Sequence, residues 1–301
     1  MSRVRDGIAG LLAHVRPTFM LPAVGMSAYG GALAPAAEFE WSTAALHAGT
    51  VGLALFVAHL RDGFVDGHLR GEETPRLSVA TFRGGIWLGS AAVIVLSAIL
   101  ATLSGPIPAF STLLLLGLAL LHAPYFDRHP LTVTVDYPIG IGVALIGAHA
   151  AQATISGTVV AVAALFAGLL AGIKVGIDRL DESFDRSIGK RTLPVAFGAE
   201  RAERTAASIF LLTAVASVGV GLSGAAGLLS VSPALAVGAA SVPVACLLAT
   251  LRLPPERAVR VQMALTYAFA VLFFLSVCDP QCAGTAIAER AVDALSSSIS
   301  G

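Results

Sequence analysis

The chain has 301 residues, of which 56% are hydrophobic and only 13% charged, and its formal net charge is zero. A soluble domain carries about twice that charged fraction, so the composition argues against a soluble protein. A neutral chain also lacks the excess of basic residues that nucleic acid attracts, which argues against nucleic acid as a partner. Hydrophobic stretches recur along the whole length, and each is long enough to cross a bilayer core of about 30 Å. The composition therefore predicts a polytopic membrane protein.

Residues 1–16 precede the first hydrophobic stretch and are predicted to form a short amphipathic helix. Val4, Ile8 and Leu11 recur at helical spacing, with charged residues between them. Such a helix lies in the membrane interface and contacts lipids without crossing the bilayer. A cleaved signal peptide is the alternative, and it is disfavoured because the basic region is too long and is itself amphipathic.

Nine membrane spans are predicted, at roughly 18–36, 43–60, 85–104, 109–125, 137–153, 157–176, 206–225, 229–250 and 260–278. With the N-terminus in the cytoplasm, 18 of the 19 Lys and Arg residues lie on the cytoplasmic side or at its boundary, and only Arg290 lies outside. The positive-inside rule therefore predicts a cytoplasmic N-terminus and an extracytoplasmic tail over 279–301. We expect one transmembrane domain over residues 1–301, located in the cell (plasma) membrane.

Two loops on the predicted cytoplasmic side contain ten of the 19 acidic residues. The first loop follows the second span and reads Leu60-Arg-Asp62-Gly-Phe-Val-Asp66-Gly-His-Leu-Arg70-Gly-Glu-Glu73. The second loop follows the sixth span and contains Asp178, Asp181 and Asp185. Because both loops follow even-numbered spans, they suggest two related halves that face a shared cavity.

The spacing of the aspartates within each loop indicates a cation site. The pair in the first loop is at i, i+4 and the set in the second at i, i+3, i+7, so each set lies on one face of a helix. Like charges on one face repel, and a bound cation relieves that repulsion. Hard carboxylate oxygens with room for water and phosphate oxygens are typical of a Mg2+–diphosphate site. The alternative is that the acids only solvate the helix ends, but clustered ionisable groups at the rim of a membrane bundle favour function.

The second loop closely resembles the second motif of the UbiA superfamily of intramembrane polyprenyltransferases. The resemblance rests on Asp178-x-x-Asp181-x-x-x-Asp185 followed by Gly189-Lys190-Arg191-Thr192-Leu193-Pro194. The nine predicted spans, the positions of the acidic loops and the Arg16-Pro17 pair extend it over nearly the whole length. The first loop departs from the family pattern Asn-x-x-x-Asp-x-x-x-Asp, because Asp62, Asp66 and Arg70 occupy those positions.

The resemblance implies an all-α membrane protein in which about nine transmembrane helices enclose a central cavity, with the acidic loops on the cytoplasmic side. It implies Mg2+ ions, expected to be two, that bridge the diphosphate of an isoprenyl donor. The implied metal ligands, which are also catalytic, are Asp62, Asp66, Asp178, Asp181 and Asp185. The resemblance also implies a catalytic Tyr125 and a diphosphate-binding Arg128. The basic residues beside the two acidic motifs, which suit the charge of the diphosphate, are the further candidates for binding it, namely Arg70, Lys174, Lys190 and Arg191.

Several of these assignments have alternatives. Tyr125 and Arg128 also fit simple interfacial positions, and the Lys174 side chain also fits an extended position that reaches the lipid headgroups. Arg70 places a positive charge where the family has an acid, and Glu72 or Glu73 is a candidate for the missing carboxylate. Cys278 and Cys282 lie at the outer end of the ninth span, where the sequence leaves their pairing open.

The resemblance implies Mg2+-dependent transfer of a polyprenyl group from an isoprenyl diphosphate to a lipophilic acceptor within the membrane. A terpene cyclase that acts on the donor itself is the first alternative. A membrane transporter is the second, and it is disfavoured because the acids lie at one rim while transporter sites lie near the midplane. No residue selects the donor chain length or the acceptor among quinone precursors, lipids, carotenoids and porphyrins.

Overall fold

Helices form the regular secondary structure of the computed structural model, which describes residues 10–11, 14–15, 17–72, 74–75, 77–278 and 282–300. In chain order the helices are α1 Pro17–Ala32, α2 Trp41–Phe64, α3 Val79–Ser104, α4 Pro106–His122, α5 Pro130–Ala150, α6 Gly157–Leu180, α7 Glu182–Ser187, α8 Leu193–Phe197, α9 Ala199–Ala225, α10 Pro233–Ala239, α11 Ser241–Arg252, α12 Pro255–Val277 and α13 Ala283–Ser300. A π-helical segment, Val65–Arg70, continues α2, and short 3-10 helices cover Ala36–Glu38 and Phe126–Arg128.

Among the described residues, seven helical stretches are long and apolar enough to cross a membrane. They are α2 with its π-helical extension, α3, α5, α6, α9, the consecutive α10 and α11 (Pro233–Arg252), and α12. The predicted spans 18–36 and 109–125 coincide with two shorter helices, α1 of 16 residues and α4 of 17 residues. Large apolar side chains such as Trp87, 77% exposed, face outward, as expected of a surface that lies in lipid. The chain is a multi-pass integral membrane protein, and a count of nine spans stays a prediction.

The helices pack closely where glycine removes the side chain. At Gly30 of α1, a Cβ atom would lie 2.2 Å from the backbone oxygen of Leu145 on α5. At Gly172 of α6, a Cβ atom would lie 2.6 Å from the ring of Phe210 on α9. Small residues at such crossings allow the backbones of membrane helices to approach each other. Glycine at these two positions therefore allows α1 to pack closely on α5, and α6 on α9.

We expect Gly30→Ala to lower the thermal stability of the detergent-solubilised protein by about 1–3 kcal/mol, the usual cost of overpacking. The added methyl group meets backbone, which cannot rotate away, so α1 and α5 must separate. The control is Gly25→Ala on the same helix, where a Cβ atom meets nothing within 4 Å. Because alanine is a better helix former than glycine, the control should be as stable as the wild type or slightly more stable. Equal unfolding temperatures for the two variants would contradict the close packing of α1 on α5.

The end of the bundle away from the acidic loops is joined by short polar contacts. The backbone N–H of Glu40 donates to Oε1 of Gln152 over 2.7 Å, which links the start of α2 to the segment after α5. Cys278 and Cys282 form a disulfide, which resolves the pairing that the sequence left open. The backbone N–H of Ala283 donates to the carbonyl of Ala34 over 2.8 Å. Most of the predicted tail is α13, while residues 279–281 and 301 lie outside the described residues.

The predicted amphipathic helix over 1–16 lies largely outside the described residues, which include only 10–11 and 14–15 of that segment. Leu11 packs against an apolar cluster that contains Leu60, Phe64 and Phe82. The ring of His14 lies edge-on to the ring of Phe82, with 5.1 Å between their centroids. These residues therefore contact the end of the bundle that carries the first acidic loop.

Candidate metal and diphosphate site

The first acidic set, Asp62 and Asp66, lies at the end of α2, where the helix changes its hydrogen-bonding pattern. Asp62 lies within α2 and Asp66 lies within the π-helical segment Val65–Arg70. Gly71 ends this segment with a left-handed φ of 68°, a conformation that glycine adopts without strain. The backbone N–H of Glu72 then donates to the carbonyl of Asp66 over 2.9 Å. This turn folds the Glu72 carboxylate back towards the helix end.

Arg70 lies among three carboxylates. Its Nη1 atom is 3.5 Å from Oδ1 of Asp66 and 3.5 Å from Oε1 of Glu72. Its Nη2 atom forms an ion pair with Oδ2 of Asp127, from the loop between α4 and α5. The Arg70 side chain is 14% exposed and that of Asp127 is 2% exposed. The residue predicted to face a diphosphate is therefore paired with the protein's own acids.

The second acidic set, Asp178, Asp181 and Asp185, spans a break between two helices. The prediction of one continuous helical face is wrong, because α6 ends at Leu180 and α7 begins at Glu182. Asp181 is the exposed residue at the junction, whereas Asp178 on α6 and Asp185 on α7 are buried. The backbone N–H of Asp185 donates to the carbonyl of Asp181 over 2.8 Å, which forms the first turn of α7. The bend lets residues of both helices face one another.

Lys174 lies beside the second acidic set. Its ammonium group forms an ion pair with Oδ1 of Asp178, one turn further along α6. This contact favours the site over the lipid headgroups as the location of the ammonium group. The other carboxylate oxygen, Oδ2 of Asp178, is buried and has no hydrogen-bond partner among the described residues. A buried carboxylate oxygen without a donor is costly, and a cation would relieve that cost.

The loops that carry the two sets meet through Lys190 and Arg191. The charge of Lys190 acts on Asp66 of the first set and on Asp185 of the second. The Lys190 backbone N–H also donates to the carbonyl of Asp185 over 3.0 Å. The next N–H, of Arg191, donates to the carbonyl of Asp127 over 2.9 Å. Both acidic sets therefore converge on one end of the bundle, together with the loop between α4 and α5.

The electrostatics of the second set favour a bound cation. Burial raises the pKa of the Asp185 carboxyl group above its usual range, and the charge of Asp181 raises it further. Lys190 and Lys174 oppose this rise. A raised carboxyl pKa means that the surroundings of the carboxyl group disfavour its ionised form. A divalent cation beside Asp185 would stabilise that ionised form.

The acidic residues fit Mg2+ that arrives with phosphate better than Mg2+ held by protein ligands alone. Among the described residues, no three Asp, Glu, His or Cys side chains are arranged to hold a metal ion by themselves. Arg70 and Lys174 instead pair with several of the acids. Mg2+ usually takes one or two carboxylates and completes its shell with water and phosphate oxygens. The unpartnered Oδ2 of Asp178 and the exposed carboxylate of Asp181 meet that requirement.

The remaining predicted site residues lie at the surface of the same end. Tyr125 is 56% exposed, just before the 3-10 turn Phe126–Arg128, and Arg128 is exposed as well. The Arg191 side chain is exposed and Asp62 is half-buried. Tyr125 and Arg128 thus share the loop that carries Asp127, and their roles stay predictions.

Sequence reasoning missed two carboxylates. Asp127 pairs with Arg70 and receives the Arg191 N–H, so it joins three loops. Asp136 of α5 lies 2.5 Å from Nδ1 of His122 at the end of α4. A signal existed for Asp136, because it is the one acidic residue between Pro130 and Ala150 in an apolar stretch. Asp136 directly precedes the predicted span 137–153 and lies inside the observed helix α5, and an ionisable residue inside a membrane-spanning helix is a functional candidate by default.

Comparison with known proteins shows similarity in structure. No protein-family model and no curated protein sequence matches the chain. A digeranylgeranylglyceryl phosphate synthase structure matches with a TM-score of 0.72 at 13% identity, over 90% of this chain and 99% of that chain. A UbiA homologue from Archaeoglobus fulgidus bound to GPP and Mg2+ matches with a TM-score of 0.67 at 16% identity, over 88% and 98%. An apo UbiA homologue from Aeropyrum pernix K1 matches with a TM-score of 0.63 at 20% identity, over 86% and 96%. The chain has the UbiA fold, as the motif resemblance predicted.

Proposed function

We propose that this protein is a Mg2+-dependent prenyltransferase that moves a polyprenyl group from an isoprenyl diphosphate to a lipophilic acceptor within the membrane. The convergence of the two acidic loops at one end of an apolar helical bundle carries this proposal, because Arg70 of the first loop pairs with Asp127 and the Arg191 N–H of the second loop donates to the Asp127 carbonyl. The structural neighbours support it, since one is a digeranylgeranylglyceryl phosphate synthase and another was solved with GPP and Mg2+.

The carboxylates have the role of metal ligands in this proposal. Asp178, Asp181 and Asp185 of the second set and Asp62 and Asp66 of the first set would hold the Mg2+ that binds with the diphosphate. Bound Mg2+ supplies Lewis-acid stabilisation of the charge that develops on the departing diphosphate. The proposal assigns these five residues to one function, although they come from segments more than a hundred positions apart in the chain.

The basic residues neutralise the remaining charge of the diphosphate. The charge of Lys190 acts on an acid of each set, and Arg191 follows it with an exposed guanidinium group. Tyr125 and Arg128 approach from the loop between α4 and α5. The apolar helices surround the prenyl chain and exclude water from the allylic cation that ionisation produces. The acceptor then attacks that cation and loses a proton.

We propose that the acidic loops and the N-terminus face the cytoplasm, because 18 of 19 Lys and Arg residues then lie on that side. A plasma-membrane location provides both a lipophilic acceptor and lipid access. Labelling of single introduced cysteines in intact cells tests the orientation, with a site beside Lys190 expected to be protected and one near Glu40 expected to react.

One incubation tests the reaction class. Purified protein, geranylgeranyl diphosphate and Mg2+ are combined with and without a panel of lipophilic acceptors. Prenylated acceptor together with released diphosphate supports the transferase. Diphosphate release with a cyclic hydrocarbon and no acceptor supports the cyclase alternative, which Arg70 in the first motif keeps open. If geranylgeranyl diphosphate is not turned over at all, the result favours the transporter alternative.

We expect Arg191→Ala to raise the donor KM about tenfold and to leave the acceptor KM nearly unchanged. The guanidinium group offers two parallel hydrogen bonds to phosphate oxygens. Because Arg191 is exposed and water competes for these contacts, we expect a net loss of about 1.4 kcal/mol, which equals a tenfold change. The control is Arg204→Ala, because Arg204 is exposed on α9 and pairs with Glu200 over 2.5 Å. If both variants reduce only the expression level, the role of Arg191 is limited to orienting the chain in the membrane.

A further inference from the structure

We infer that Arg70 is the permanent cation of the first acidic set and replaces one of the two Mg2+ ions that the family resemblance implies. A single Mg2+ then binds with the donor diphosphate at the junction of Asp66 and the second acidic set. This inference rests on the proposed function and defines its metal stoichiometry.

The first step of the argument is the surroundings of the guanidinium group. Asp66 and Glu72 each lie 3.5 Å from Nη1 of Arg70, and Asp127 pairs with Nη2. Three carboxylates from two loops therefore point at one positive group, an arrangement otherwise expected around a divalent ion. A guanidinium group suits this position because it is always charged and its donors diverge in a plane.

The second step is burial, which makes the arrangement persistent. Exposed fractions of 14% for Arg70, 6% for Glu72 and 2% for Asp127 leave little room for water to replace the ion pairs. Loss of the Arg70 charge would leave three carboxylates without their shared cation, which is strongly unfavourable. A second positive ion placed beside Arg70 would meet repulsion as well as the loss of these pairs. Arg70 therefore excludes a metal ion from the space that it occupies.

The third step is the contrast with the second acidic set. Lys174 pairs there with a single oxygen of one carboxylate, Oδ1 of Asp178, and the second oxygen has no hydrogen-bond partner among the described residues. Asp181 is exposed and keeps its carboxylate available. Asp181 therefore remains available to a metal ion without an ion pair among the described residues, whereas Asp66, Glu72 and Asp127 each form an ion pair with Arg70.

The test counts bound ions directly. Mn2+ substitutes for Mg2+ and is titrated by electron paramagnetic resonance into the full-length protein with geranyl S-thiolodiphosphate, a donor analogue that resists ionisation. We expect one Mn2+ per wild-type chain and two per Arg70→Asp chain, because the variant restores the family's acid and removes the competing charge. The control, Arg204→Asp, makes the same change of charge within the exposed Arg204–Glu200 pair and should keep a count of one.

The outcomes separate this inference from the proposed function. Two Mn2+ ions per wild-type chain would overturn the role of Arg70 and leave the prenyltransferase proposal standing. No Mn2+ in any variant would overturn both. A count of one Mn2+ per chain in a folded Arg70→Asp protein would also overturn the inference, since removal of Arg70 would then not have allowed a second metal ion to bind. If Arg70→Asp does not fold, the inference is tested by the Mn2+ count of the wild type and by the milder variant Arg70→Gln. We expect Mn2+ to raise the unfolding temperature of Arg70→Gln more than that of the wild type.

Discussion

Asp181→Asn is expected to reduce prenyl transfer on the order of a thousandfold, because the variant loses a carboxylate that the proposed mechanism uses to hold Mg2+. Asp181 is exposed at the junction of α6 and α7, and its backbone carbonyl, which accepts the Asp185 N–H, is unchanged in the variant. The fold should therefore survive the substitution. Turnover of geranylgeranyl diphosphate is measured at saturating Mg2+, with the thermal unfolding temperature recorded on the same samples.

Glu182→Gln is the matched control for Asp181→Asn. Glu182 is the neighbouring acid, and it pairs with the exposed Arg186 over 2.8 Å within α7. An exposed i, i+4 ion pair contributes little to stability, about 0.3–0.5 kcal/mol. We expect near-normal activity from this control. Near-normal activity from Asp181→Asn as well would rule out Asp181 as a metal ligand.

Asp66→Asn is expected to lower turnover by about a hundredfold or more and to raise the Mg2+ concentration needed for half-maximal activity. Asp66 is the acid of the first set on which Lys190 of the second loop acts, so it lies where the two sets meet. Glu72 and Asp127 still surround Arg70 in the variant, which should keep the unfolding temperature close to that of the wild type. Activity is measured across a Mg2+ titration. The magnitude follows from the loss of one electrostatic ligand at the reacting group.

Glu72→Gln distinguishes a metal ligand from a simple partner of Arg70. Glu72 and Asp66 lie at the same distance, 3.5 Å, from Nη1 of Arg70. If Asp66 acted only by holding Arg70, the two neutral variants would lose activity equally. We expect a clearly smaller loss for Glu72→Gln and an unchanged Mg2+ requirement. Matching Mg2+ curves for the two variants would contradict the assignment of Asp66 to the metal.

The sequence alone was sufficient to predict an all-helical membrane protein, because hydropathy is a local property of each stretch. Seven of the predicted spans coincide with helices that are long and apolar enough to cross a membrane. The second motif also predicted the UbiA fold, which the structural neighbours confirm at identities of 13–20%. Helical spacing alone did not predict the break at Asp181, since the i, i+3, i+7 spacing in the sequence is the same whether one helix or two consecutive helices contain the three residues.

Only the tertiary structure decided which charges meet. Arg70 and Asp127 are 57 positions apart, and no spacing rule connects a residue at the end of α2 with a turn after α4. No spacing rule connects Lys190 of the second acidic loop with Asp66 of the first loop either, although the charge of Lys190 acts on Asp66. The sequence shows which side chains are charged, but the partner of a buried charge depends on which helix ends pack together. The sequence therefore determined that this protein has two acidic loops, and the packing of α2 on α4 determined that one of them already contains its cation.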